Sequence, residues 1–156
     1  MKKILLFLLI IFCCANLSGC VFFGVFRGRY NTEFDSKPID VSNISSTENL
    51  VSTCKPAVVG ISAQLGNYQS IGTGVCIKKG AYILTNNHVV DDAYFINLYL
   101  SDGTTATATT VWADPSSDLA MLKSSVDIPY LPVAEQGSYD SGDEVIAIGT
   151  PLDLAF

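Results

Sequence analysis

From Pro56 onward, short apolar runs alternate with clusters of turn-forming residues, and no 3.6-residue periodicity is sustained. Residues 57–63 read as a strand, Gly66-Asn67 as a turn and 72–77 as a second strand. Lys79-Gly80 is a tight turn, 81–84 a third strand, and Asp91-Asp92 breaks the run that follows. Residues 94–100 are rich in β-formers, Ser101-Asp102-Gly103 reads as a hairpin turn, and 104–112 and 119–122 as further strands. Residues 129–134 read as a connector. The apolar run in 144–148 predicts a last strand, buried on both faces. Six or seven short strands at this spacing predict an all-β barrel or sandwich.

Ahead of this region the pattern changes. Lys2 and Lys3 precede an apolar run over 4–12, the charged and hydrophobic parts of an export signal. Leu17-Ser18-Gly19-Cys20 fits the lipobox of bacterial lipoproteins, which predicts a signal peptide over 1–20 and lipid attachment at Cys20. A second arrangement fits the same residues. The stretch 4–26 is 23 residues without a charge, closed by Arg27 and Arg29, and about 20 suffice for an uncleaved transmembrane anchor. Both arrangements export the globular part and hold it at a membrane of the bacterial envelope. Residues 21–52 are then a flexible tether, polar and aperiodic from Arg27 to Leu50, and 53–156 the globular domain.

Charge narrows the partners. The net charge is −6, and cleavage before Cys20 leaves seven basic against fifteen acidic side chains. No basic cluster remains to neutralise phosphates, which argues against nucleic acid. Cys54 and Cys76 either pair in an oxidising compartment or stay as buried free thiols, and spacing alone does not choose.

The chemistry centres on His88, the only histidine in the chain. A lone histidine is ordinarily a satisfied polar group. This one stands in Tyr82-Ile83-Leu84-Thr85-Asn86-Asn87-His88-Val89-Val90. It follows Gly72-Thr73-Gly74-Val75 and precedes Ser117-Asp118-Leu119-Ala120-Met121-Leu122-Lys123 and then Ile146-Ala147-Ile148-Gly149-Thr150-Pro151. In this order the four segments resemble the trypsin-like serine proteases, most closely the HtrA/Deg branch, over roughly 56–156.

The resemblance implies a chymotrypsin-like fold of two six-stranded barrels, with catalysis in the cleft between them. Residues 56–131 would form the first barrel, and 144–148 the opening strand of a second. His88 would be the general base that takes a proton from a serine hydroxyl. Asp118, 30 residues on, would fix its tautomer and stabilise the imidazolium. Val89 stands where digestive trypsins carry a cysteine, which points to the HtrA branch. Asp91, Asp92, Asp114 and Asp127 compete with Asp118. The first two read as a solvated turn and Asp114 as turn chemistry before Pro115, whereas the apolar residues flanking Asp118 are expected to bury it.

The serine of that family lies in a Gly-Asn-Ser-Gly-Gly-Pro motif, which also makes the oxyanion hole, and residues 1–156 hold no such motif. Asp140-Ser141-Gly142 is a decoy, because Asp143 replaces the second glycine and the segment precedes the 144–148 run. Thr150 and Asp153 also depart from the Asn and Gly usual in the branch. The expectation is a protease truncated before its nucleophile and inactive alone. Peptide bonds of unfolded or damaged envelope proteins are the implied substrate class, and a homo-oligomer, often a trimer, the implied assembly. No cofactor is expected. A zinc site would need more convergent ligands than a single histidine offers, and Gly72-x-Gly74 is too short for a nucleotide loop. The alternative of a different class is a non-catalytic, lipid-anchored β-barrel binding module in which His88 is a turn residue.

Overall fold

The alternating runs fold into six antiparallel strands in a computed structural model that describes residues 36–150. The export signal, the lipobox with Cys20 and residues 21–35 of the expected tether lie outside the described residues, as do 151–156. The strands are β1 (Val58–Leu65), β2 (Tyr68–Lys78), β3 (Tyr82–Thr85), β4 (Phe95–Tyr99), β5 (Thr105–Asp114) and β6 (Leu119–Ser124). They close a barrel in the order β1-β2-β3-β6-β5-β4. Of the two all-β architectures the pattern allows, the barrel is the one formed.

Turn chemistry sets the register. The β1–β2 hairpin runs from Val58↔Val75 to Leu65↔Tyr68, around Gly66 at φ 57°. Glycine at the first central position of a two-residue loop is the pattern that matches strand twist. β1 then pairs with β4, Gly60↔Tyr99 through Gln64↔Phe95, and this ladder seals the barrel. β5 carries a bulge at Val111, between the Thr110↔Leu122 and Trp112↔Met121 pairs.

The inward positions follow the period of two. Ile61, Ile83, Leu98, Leu122 and Cys76 are fully buried, and Ile128, just past the end of β6, joins them. Burying each large aliphatic contributes on the order of 1.5–3 kcal/mol. Gly74 is part of this core by what it lacks. A Cβ there would lie 2.5 Å from Ile83 Cγ2 and 2.9 Å from Ile61 Cδ1.

Three expectations are corrected. The first concerns the tether. Residues 47–52 of it belong to a helix, α1 (Thr47–Cys54), capped by Ser46, whose Oγ accepts the Asn49 N–H at 3.2 Å. Cys54 is its one buried residue, with Leu50 and Val51 half-buried, too few apolar positions to register as periodicity. Residues 37–39 are fastened as well. Ile39 N–H donates to Tyr130 O at 2.8 Å, within a Pro38↔Tyr130 bridge. The second concerns 144–148, which forms no strand and is mostly exposed, Val145 at 89%. A strand is a ladder, and the closed barrel leaves no edge free for this segment to join. The third, the burial of Asp118, belongs to the site below.

Cys54 and Cys76 are both buried and free. Beneath α1 lies an open groove of about 800 Å³, lined by Val41, Ile44, Leu50, Cys54, Leu131 and Ile146 among others.

Candidate active site

β3 delivers the histidine to the rim of the barrel. Its last residue, Thr85, is buried and donates its hydroxyl to Thr73 O on β2 at 2.8 Å. The chain then makes a single helical turn, α2 (Asn87–Val90). Val89 and Val90 are buried and anchor this turn, and Asn87 is buried with them. That leaves His88 facing outward, its side chain 70% exposed. Gly72 on β2 makes the seat, because a Cβ there would lie 2.7 Å from Val89 Cγ2.

Asp118 arrives from the turn that leads into β6. β3 and β6 pair through Thr85↔Ala120, so the residues just beyond the two ladder ends are neighbours despite 30 positions of separation. Asp118 closes the turn before β6 with a left-handed backbone, φ 53°. Among residues other than glycine, Asp and Asn adopt this conformation most readily. The Asn87 N–H donates to Asp118 O at 3.1 Å, joining the two segments through backbone.

The carboxylate holds the histidine twice. His88 N–H donates to Asp118 Oδ1 at 2.9 Å, and His88 Nδ1 lies 2.7 Å from Oδ2. An ionised carboxylate only accepts, so the contact places the proton on Nδ1 and leaves Nε2 with its lone pair. The Asn86 side-chain amide adds two contacts, Nδ2 to Asp118 Oδ2 and to Asp118 O, each 3.2 Å. These hydrogen bonds, the His88 backbone N–H first and its side chain second, hold the Asp118 carboxyl below its ordinary value. Such a couple can take a proton at Nε2 and stabilise the resulting imidazolium. Among the described residues no hydroxyl is hydrogen-bonded to Nε2.

The expected burial of Asp118 is corrected here, since its side chain is 45% exposed. Leu119 and Ala120 flank it in sequence, but they lie on β6 whereas Asp118 lies on the turn. The competitors are placed elsewhere. Asp114 accepts from Ser116 and Ser117 in its own turn, Asp127 caps the Ile128 N–H, and Asp91 and Asp92 are exposed. Ser141 sits in an exposed turn spanned by Asp140 and Asp143. Cys76 offers no nucleophile. Burial pushes its thiol up to about 11, and its Sγ–H faces Ile128 O at 3.7 Å inside the barrel. Asn86 has no role that its sequence position announces. Its place in the Thr-Asn-Asn-His run was the available signal, but nothing in that run says that its side chain turns toward Asp118.

Comparison with known proteins shows what the chain is similar to. The family described as "Trypsin-like peptidase domain" matches residues 72–156. A probable periplasmic serine endoprotease, DegP-like, of Pseudomonas fulva is 42% identical over 101 residues, covering 63% of this chain and 21% of the relative. Its counterpart in Chlamydia pneumoniae is 43% identical over 84 residues, covering 53% of this chain and 17% of the relative. The chain thus spans about a fifth of the length of these curated relatives. Among solved structures, the serine endoprotease from Yersinia pestis superposes with a TM-score of 0.61 at 33% identity, covering 71% of this chain and 42% of that one.

Proposed function

We propose, for a chain that belongs to the trypsin-like peptidase domain family, that it carries the general-base half of a serine-type endopeptidase of the HtrA/DegP kind. The observation that carries this reading is the two-point hold of Asp118 on His88, at 2.9 Å to the backbone N–H and 2.7 Å to Nδ1. It fixes the imidazole in the tautomer a base needs. His88 takes the proton of a serine hydroxyl at Nε2 as that oxygen attacks a peptide carbonyl, and returns it to the leaving amine. Asp118 orients the ring and stabilises its charged form.

The serine and the oxyanion donors are not among residues 1–156, so this chain alone does not hydrolyse peptides by that route. The complete machinery works as a homo-oligomer, and its substrates are unfolded or damaged proteins of the bacterial envelope. Relatives named periplasmic support export. Lipid attachment at Cys20 follows from the Leu17-Ser18-Gly19-Cys20 run and would hold the domain at a membrane. No helix among the described residues is long and apolar enough to cross one.

A chimera tests the reading. This chain's matching 101 residues replace their counterpart in the Pseudomonas fulva relative, and casein turnover is measured. The chimera is expected to cleave, and Asp118→Asn within it to lose on the order of 10⁴-fold. A folded chimera that is inactive, or one indifferent to Asp118→Asn, overturns it.

One observation favours a second reading, the non-catalytic binding module. The barrel closes on residues 58–124 alone, as a self-sufficient domain would. That reading gains if the chimera folds and fails to cleave while the chain itself unfolds in one cooperative transition.

A further inference from the structure

We propose that Asn86 is a positioning residue of this site, the clamp that locks the Asp118 carboxylate onto His88 Nδ1. The inference rests on the base-and-carboxylate reading given above and adds to it the group that keeps the pair aligned.

The argument starts from what Asp118 needs. Its backbone is left-handed, at φ 53°, and its side chain is 45% exposed, so packing does little to choose its rotamer. A carboxylate left to itself at such a place turns toward water. Here the Asn86 Nδ2 lies 3.2 Å from Asp118 O and 3.2 Å from Asp118 Oδ2. One amide nitrogen has two N–H groups, and both contacts fall on the same residue. The amide therefore ties the Asp118 side chain to its own backbone carbonyl and stops the carboxylate rotating. Oδ2, the atom it holds, is the atom that meets His88 Nδ1 at 2.7 Å.

The chemistry of the partners fixes which end of the amide is which. Both facing atoms are acceptors, so the carbonyl end of Asn86 in that place would meet only lone pairs. Asn86 is also free for the task. It stands at the N-cap position of α2, with extended backbone at φ −76° and ψ 143°, yet makes no side-chain cap to the helical N–H groups. Asparagine is favoured at such positions for capping, and here its donor end is turned across to the neighbouring strand's turn instead. Asn86, Asn87 and His88 together give Asp118 five hydrogen bonds, two of them from the Asn86 amide.

The single histidine makes the test direct. The full chain is labelled with ¹⁵N, and the His88 ring nitrogens are read at a pH where the imidazole is neutral. The wild type is expected to show the Nδ1–H tautomer. Asn86→Ala and the isosteric Asn86→Asp, which cannot donate, are each expected to lower the ratio of Nδ1–H to Nε2–H roughly two- to tenfold, with the barrel's circular dichroism and melting cooperativity kept. Asn86 is exposed, so a general loss of fold is not the expected route, and the two variants check each other. Variants with wild-type tautomer ratios overturn the clamp. Asp118→Ala separates the two levels. If it shifts the tautomer while the Asn86 variants do not, the pair stands and the clamp falls. If it leaves the tautomer unmoved, the pair is wrong and the clamp falls with it.

Discussion

Val89 occupies the space that any side chain at position 72 would take. A Cβ on Gly72 would lie 2.7 Å from Val89 Cγ2 and 2.8 Å from Cγ1, closer than carbon atoms approach. Because Val89 anchors the turn that carries His88, this contact sets how deeply the histidine's turn seats on β2. Gly72→Ala is expected to destabilise by about 1–3 kcal/mol, the usual cost of overpacking, and to shift the His88 ring signals. The double variant with Val89→Ala is expected to recover much of both, a non-additive pairing that a denaturation cycle measures directly. Simple addition of the two single effects would show that the two side chains do not meet.

Asp118 predicts an acid limit for the site. Its carboxyl is held below the ordinary 3.8 by the His88 backbone N–H and ring. A depressed value stabilises the folded arrangement above pH 3.8, and that contribution is lost as pH falls through the folded value. The His88 amide proton, followed by NMR from pH 6 downward, is expected to keep its shift past 3.8 and to move only at more acid pH. In Asp118→Asn the same proton is expected to show no such transition.

Cys76 predicts the opposite limit. Its thiol is raised to about 11 from an ordinary 9.0 by burial, so the folded state keeps a proton that the unfolded chain releases. Stability from this group is complete below pH 9 and declines as pH rises toward 11, by about 1.4 kcal/mol per unit over that interval. Urea melts at pH 8 and pH 10.5 are expected to show the loss, and Cys76→Val to remove the part due to the thiol. A thiol reagent at pH 8 is expected to label Cys76 only after unfolding.

Ser46 predicts how firmly α1 is held. Its Oγ accepts the Asn49 N–H at 3.2 Å, and Ser46→Ala is expected to cost about 0.5–2 kcal/mol of helix stability. Hydrogen exchange is expected to quicken over 47–54 and to stay unchanged in the β1–β2 ladder. Equal quickening in both would mean that α1 and the barrel open together.

The strands were legible because their information is local. Alternation marks which side chains face inward, and Gly66-Asn67 or Ser101-Asp102-Gly103 marks where the chain turns. That His88 and Asp118 would meet was legible through the runs around them. What failed needed knowledge of a partner. The apolar residues of 144–148 say that burial would be favourable, but not what would provide it, and the closed barrel provides nothing. Asp118 was expected inside because of Leu119 and Ala120, yet one left-handed residue separates the turn from the strand that those two belong to. The Asn86 clamp was invisible for the same reason, as it depends on the direction of one amide across two strands.

The β3–β6 ladder also bears on timing. The pair it assembles comes from strands separated by β4, β5 and their loops, so no local segment of the chain contains a working base. As the polypeptide leaves the ribosome, His88 emerges 30 residues before Asp118, and it gains its orientation only once β6 has closed against β3. Barrels dominated by such distant pairings fold in roughly milliseconds to seconds. Over that interval the imidazole is an ordinary exposed side chain. A base assembled this way is chemically silent for as long as the chain around it is unfolded.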